Sequence, residues 1–157
     1  MANTYAKIYL HIVFVVRNRR SLISKELKEP LHKYITGIVT RHGQKMLIID
    51  GVRDHVHMLI GCRTSVRLDD LMQEVKEHST RWINDNKLVT DKFYWQTGYA
   101  AFSVASWNYQ TIYNYIANQE EHHRKVNFTE EYEKFLIEEE IDYDRKYIFH
   151  DPNLVED

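Results

Sequence analysis

Two histidines separated by one residue, His55 and His57, form the first pair in the chain whose spacing bears on chemistry. They lie in a short apolar run that reads as a strand. Successive strand side chains point to opposite faces, so both imidazoles emerge on one side, one pleat apart, with Val56 turned to the other. That geometry suits two ligands on one metal. Further on, Tyr115 and Gln119 lie four residues apart and share one face of a helical stretch, beside an apolar stripe of Ile112 and Ile116. A tyrosine oxygen can be a covalent nucleophile, and a phosphotyrosine keeps the energy of a cut phosphodiester for later rejoining. The chain has 11 tyrosines, so residue type alone does not separate catalysis from packing. By spacing alone, His122 or His123 is a better third metal ligand than Gln119, because imidazole binds most transition metals better than an amide.

The elements that must position these residues follow from periodicity. Residues 5–17 read as a strand rich in Ile12, Val13, Phe14, Val15 and Val16. Residues 25–41 form a helix with Leu27, Leu31, Ile35 and Ile38 in register, ending before Gly43. Pro30 predicts that this helix starts nearer Glu29 or bends there. Residues 46–49 and 56–60 make two strands of a hairpin turned through residues 51–54. A second amphipathic helix covers 66–84, and an aromatic strand with a bulge at Gly98 covers 93–104. A third helix follows over 108–123 and a fourth over 130–139. The tail from Ile141, carrying Tyr143, Tyr147, Ile148 and Phe149, is expected to be an ordered extension up to Pro152. The strand and helix order is βαββαβ, the α+β, ferredoxin-like (RRM-like) antiparallel sheet. Both crossover helices then share one face, and the third helix is free to cover the other.

At 157 residues the expectation is one domain over 1–157, with its core at about 5–140 and a C-terminal extension at about 141–157. Hydrophobic residues at 43% and charged residues at 28% exclude a disordered chain. The single cysteine, Cys62, excludes an intrachain disulfide and reads as a small apolar packing residue. No signal pattern and no apolar run long enough for a bilayer is present, so a soluble cytoplasmic protein without a membrane partner is expected. The net charge of −2 argues against broad nucleic-acid binding, but charge is segregated. Arg17, Arg19 and Arg20 form a basic cluster, whereas Glu120, Glu121, Glu130, Glu131 and the glutamates at 138–140 load acid onto the last third. That cluster and Arg53, just before the histidine pair, are the first choices for DNA phosphate contact. Tyr99 and Trp95 offer faces for unpaired bases, though burial competes for both. His32 and His78 read as packing or surface residues.

Three stretches taken together resemble the single-tyrosine HUH transposases of small bacterial insertion sequences. They are Asp54-His55-Val56-His57, Trp95-Gln96-Thr97-Gly98-Tyr99-Ala100-Ala101-Phe102-Ser103-Val104, and Tyr115-Ile116-Ala117-Asn118-Gln119-Glu120-Glu121-His122-His123. The opening His11-Ile12-Val13-Phe14, followed by basic residues to Arg20, is similar as well. The likeness reaches to about residue 147, and only residues 106–110 depart from it.

The resemblance implies that His55 and His57 are metal ligands with Gln119 as the third protein ligand, and that Tyr115 is the nucleophile on the added C-terminal helix. It implies a homodimer, with active sites shared between subunits, that recognises hairpins in single-stranded DNA and cuts and rejoins strands at element ends through a 5′-phosphotyrosine. The implied cofactor is Mg²⁺ or Mn²⁺. Two imidazoles and an amide suit Mn²⁺ better than Mg²⁺, which prefers oxygen ligands. Tyrosine's ordinary pKa of about 10 means that Tyr115 must shed its proton as it attacks, and no general base is evident in the sequence. Three other functions share these residues. One is a domesticated relative processing chromosomal repeat hairpins. Another is a non-catalytic hairpin-binding module, and the last is a phosphoesterase that uses water.

Overall fold

The computed structural model describes residues 3–144, so the expectations for Tyr147, Ile148, Phe149 and Pro152 lie outside the described residues. The first strand, β1, is Ile8–Val15, shorter than the alternation suggested. Helix α1 spans Lys25–Arg41. Its N-terminus is fixed by Ser24, whose hydroxyl accepts the Leu27 N–H at 3.1 Å. The helix therefore begins upstream of Glu29, with Pro30 inside it and no break in helical dihedrals. Proline removes one donor, and the cap and the buried Leu27, Leu31 and Ile35 outweigh that loss. Strands β2 (Lys45–Gly51) and β3 (His55–Cys62) form the expected hairpin. Helix α2 is Leu68–Asp85 and strand β4 is Ala100–Val104.

Only the second half of the expected 93–104 strand pairs. Its register on β1 runs from Tyr9 opposite Val104 to Val13 opposite Ala100. Residues before it turn inward instead. Trp95 makes a single bridge to Val16, and the Asn84 side chain accepts from the Phe93 N–H while donating to its carbonyl. The expected helix over 108–123 is likewise two helices, α3 (Tyr109–Ala117) and α4 (Gln119–His123). Asn118 stands between them at φ −107°, ψ 27°. Its side-chain amide donates back to the Asn114 carbonyl, the local competition by which asparagine ends helices. A last helix, α5, covers Phe128–Glu138.

The sheet order is β2-β3-β1-β4, antiparallel throughout, which is the expected α+β, ferredoxin-like arrangement. Alternation along the strands divides it into two faces. Ile12 and Phe14 of β1 and Val56, Met58 and Ile60 of β3 pack under α1 and α2 in the main core. Full burial of each such side chain contributes roughly 1.5–3 kcal/mol. Val13, Val15, Ala100 and Phe102 point the other way, onto Phe128 and Leu136 of α5. Leu59 and Val104 meet Ile116 of α3 on the same side. The second face is thus shared by α3 and α5 rather than covered by one helix. By the same alternation, His11, His55 and His57 belong to it.

The hairpin that delivers His55 depends on a close backbone approach. A Cβ on Gly51 would lie 2.3 Å from the His55 carbonyl oxygen and 3.1 Å from the Val56 Cα. Both are backbone atoms and cannot swing aside. Gly51→Ala is expected to cost about 1–3 kcal/mol in denaturant unfolding, the usual penalty of overpacking. It should also weaken metal binding, because the displaced strand carries His55. Wild-type stability in this variant would mean that the hairpin relaxes without moving that strand.

Candidate active site

Five elements converge on the second face. β1 contributes His11, β3 contributes His55 and His57, α3 contributes Tyr115, α4 contributes Gln119 and His123, and α5 contributes Glu131. The two strand histidines each spend Nδ1 on orientation. His55 Nδ1 lies 2.7 Å from Asp54 Oδ1, and His57 Nδ1 lies 2.8 Å from His11 Nε2. Both therefore present Nε2 inward, the arrangement by which outer partners aim metal-binding imidazoles. His55 Nε2 is 3.1 Å from His123 Nε2, and His57 Nε2 is 2.7 Å from Glu131 Oε1.

Glu131 is the centre of the cluster and is 3% exposed. Oε1 faces His57 and, at 3.4 Å, His55. Oε2 faces His122 at 3.1 Å and His123 at 3.2 Å, and it also accepts the Tyr115 hydroxyl. Burial alone would raise the Glu131 pKa. Hydrogen bonds from His123, His55 and His57 overcome this and hold the carboxyl well below the usual range. Tyr115 is pushed the other way, well above an ordinary phenol, first by burial and then by the Glu131 charge. His11 is driven down to about 3 by burial and by the neighbouring His57, so it stays neutral at physiological pH. At His55 burial acts downward, but the bonds to Asp54 and Glu131 leave a net upward shift. At His57 burial prevails and the net shift is downward.

Donor atoms of His55, His57, His123 and Glu131 all lie within 4.8 Å of one another. Three inward-facing imidazole nitrogens and an ionised carboxylate in a buried pocket fit a divalent cation. Gln119, the ligand implied by resemblance, is fully buried beside this group, with Oε1 3.1 Å from His123 Nε2. His123, one of the two histidines favoured by spacing, enters the cluster itself. The other, His122, stays at its lip with Nε2 3.2 Å from the Tyr115 hydroxyl. Tyr115 stands over the histidines of its own chain, with ring centroids 5.9 Å apart at His57. Sequence reasoning missed Glu131, whose place in an acidic run reads as a solvated face. It also gave His11 and Asp54 no role at the site. The signal for His11 was available, since it shares a strand face with Val13 and Val15.

The arginine cluster disperses. Arg17 lies over the Tyr94 ring, 4.6 Å from its centroid. Arg19 donates to Thr129 Oγ1 at 2.8 Å, and Arg20 pairs with Asp91 at 2.7 Å. Arg53 is exposed beside Asp54. Trp95 is buried, with its indole N–H donating to Ser79, so it is not available for stacking bases. Tyr99 remains 36% exposed. His32 is buried in α1, His78 is half-buried on α2, and Cys62 packs against the main core.

A family model described as IS200-like transposase matches residues 4–119. The chain belongs to this family. Among curated proteins none matches it. Two solved structures share the fold. One is a candidate transposase from Deinococcus radiodurans R1, 20% identical, with a TM-score of 0.61, covering 74% of this chain and 94% of that one. The other is a REP-associated tyrosine transposase bound to a REP hairpin, 16% identical, with a TM-score of 0.62, covering 79% of this chain and 73% of that one. The family match contains His55, His57, Tyr115 and Gln119 and stops before His123 and Glu131. No described helix is long and apolar enough to cross a membrane.

Glu131→Gln keeps the side-chain shape and removes the charge. The variant is expected to fold, yet to bind Mn²⁺ at least about tenfold more weakly in calorimetric titration, since an anionic ligand becomes an amide. Undiminished affinity would remove Glu131 from the donor set.

Proposed function

We propose that this transposase cuts and rejoins single-stranded DNA at the ends of a mobile element, keeping the cut 5′ end as a phosphotyrosine on Tyr115. One observation carries the reading. The Tyr115 hydroxyl hydrogen-bonds to the same carboxylate that meets His57 and His123, so the nucleophile stands at the edge of a metal-binding cluster in a family of transposases. The ligands would be His55 and His57 with Gln119 from the family resemblance, and with His123 and Glu131 from geometry. This nitrogen-rich set favours Mn²⁺ over Mg²⁺.

In the cut, Tyr115 Oη forms a bond to phosphorus and the P–O3′ bond breaks, with the 3′ oxygen leaving as a hydroxyl. Rejoining reverses this, as a 3′-hydroxyl attacks the phosphotyrosine and the tyrosine regains its proton. No external energy source is needed. His122, with Nε2 3.2 Å from the Tyr115 hydroxyl, is placed to accept the tyrosine proton, and partial burial lowers its pKa. A divalent cation in this site would offset the Glu131 charge that holds the proton on Tyr115, and would polarise the scissile phosphate. Glu131 holds the phenol in place until then.

Hairpin recognition belongs to the same reading, supported by the hairpin-bound relative. So do phosphate contacts from Arg17, Arg19, Arg20 and Arg53, and a homodimer. Incubating the protein with a labelled hairpin-bearing strand and Mn²⁺ should yield a covalent adduct on a denaturing gel. Tyr115→Phe should lose both adduct and cleavage, a drop of at least about a thousandfold, the scale on which a lost nucleophile is felt, while hairpin affinity holds. Cleavage without any adduct in the wild type would make water the nucleophile and overturn strand transfer.

Mixing Tyr115→Phe with His57→Ala subunits tests the shared site that the resemblance implies. If tyrosines cross between subunits, each mixed dimer has one intact site and activity returns. The turn at Ser106–Asn108 ahead of α3 is where such an exchange would hinge. A silent mixed dimer would keep Tyr115 on its own histidines, as in the described conformation.

A further inference from the structure

The metal cluster is sealed on most sides. His55 and His57 have no exposed surface, and Glu131 of α5 is 3% exposed. Of the four clustered residues, His123 is the most open, with 10% of its side chain exposed. It is also the one that lines a cleft, a space of about 480 Å³ walled by Lys25, Lys28, Arg53 and Arg124. Two carboxylates, Asp54 and Glu120, share that wall, and both are engaged. Asp54 holds His55, and Glu120 binds Lys28 at 3.2 Å.

The cations divide by availability. Lys28 is committed between Asp50 at 2.7 Å and Glu120. Lys25 and Arg53 are exposed and make no ion pair among the described residues. Arg124 meets Glu121 at 3.1 Å, but both side chains are largely exposed, and such pairs contribute little. In a chain of net charge −2, this cleft presents Lys25 and Arg53 with no ion pair among the described residues and Arg124 in an exposed one, so positive charge is locally available there. A second cleft of about 540 Å³ shares Lys25 and Lys28 and runs along α1 past Glu29, His32 and Lys33, where Glu29 pairs with Lys33 at 3.0 Å. Two clefts that meet at the same two lysines suit a chain of phosphates better than a single free one.

We propose that this cleft is the channel by which one DNA strand reaches the metal cluster, its phosphates held by Lys25, Arg53 and Arg124. The inference rests on the function proposed above and adds the path of the substrate. Phosphates bound here lie beside His123, the open side of the cluster, and α1 guides the strand away from it. The strand need not pass beneath α5.

The test uses the full chain in a Tyr115→Phe background, so that binding is read without cleavage. Lys25→Glu, Arg53→Glu and Arg124→Glu are combined and compared with Lys134→Glu, an exposed charge outside both clefts. Fluorescence anisotropy with a labelled single strand across a salt series should show binding weakened at least about tenfold. The slope of log affinity against log salt should fall by roughly 2, at about 0.7 per lost phosphate contact. Lys134→Glu should leave the slope as it was. Mn²⁺ titration should match the parent, which shows that the cluster survives. Unchanged strand affinity and slope with intact Mn²⁺ binding overturn the channel, as does an equal loss in Lys134→Glu. Failure of the function reading looks different: no adduct forms with the native Tyr115, yet the triple variant still loses strand binding.

Discussion

A carboxylate removed from water is costly, by several kcal/mol even after relaxation, unless hydrogen bonds and charge compensate it. Glu131 is such a group, and the second face of the sheet is arranged around it. Its oxygens collect His55 and His57 from β3, His122 and His123 from α4, and the Tyr115 hydroxyl from α3. Helix α4 leads into α5 through a short turn, but β3 and α3 are remote from it in sequence. The need to satisfy one buried anion ties all of them to a common point. Three of these donors, His55, His57 and His123, form with the anion a group that could hold a metal ion. Structural and chemical demands on these residues therefore coincide.

The sheet makes this possible by sorting side chains without regard to chemistry. Pairing of β1 with β3 sets Val13 opposite His57 and Val15 opposite His55, and the pleat sends all four to the side away from α1 and α2. There the apolar neighbours shape the electrostatics. Phe135 packs edge-on against His11 and Tyr115, and it stacks on Phe102. Phe128 lies 4.5 Å from the His55 ring. These rings exclude water, which strengthens every polar contact in the cluster and raises the cost of ionising Tyr115.

Much of this was legible before the structure. Period-two alternation placed His55 and His57 on one face, and the order of strands and helices gave the sheet topology. What escaped was whatever depended on distant partners. Residues 93–99 have strand propensity, but beyond Ala100 they keep only the bridge of Trp95 to Val16 and the Gln96 N–H on the Val15 carbonyl, while Phe93 and Trp95 are drawn into the core. Glu131 sits among Glu130 and Glu133, which read the same way in sequence; only the packing of α5 distinguishes the inward one. Of the arginines, spacing identified a cluster, yet Thr129, Asp91 and Tyr94 draw its members apart.

The break at Asn118 shows why a helical wheel was insufficient. In one continuous helix, Tyr115, Gln119 and His123 would indeed share a face, at successive spacings of four. They would also be strung out along the axis, with about 12 Å of rise between Tyr115 and His123 at 1.5 Å per residue. Side chains on such a rod would have to span that rise to meet on a single carboxylate oxygen. In the structure they do meet, because the Tyr115 hydroxyl and His123 Nε2 both reach Glu131 Oε2. The helix ends at Ala117 and restarts at Gln119, and the Asn118 amide bonds back to the Asn114 carbonyl at that end. The family match stops at Gln119, just past this turn. Everything after it that reaches the cluster comes from α4, with His122 and His123, and from α5, with Glu131.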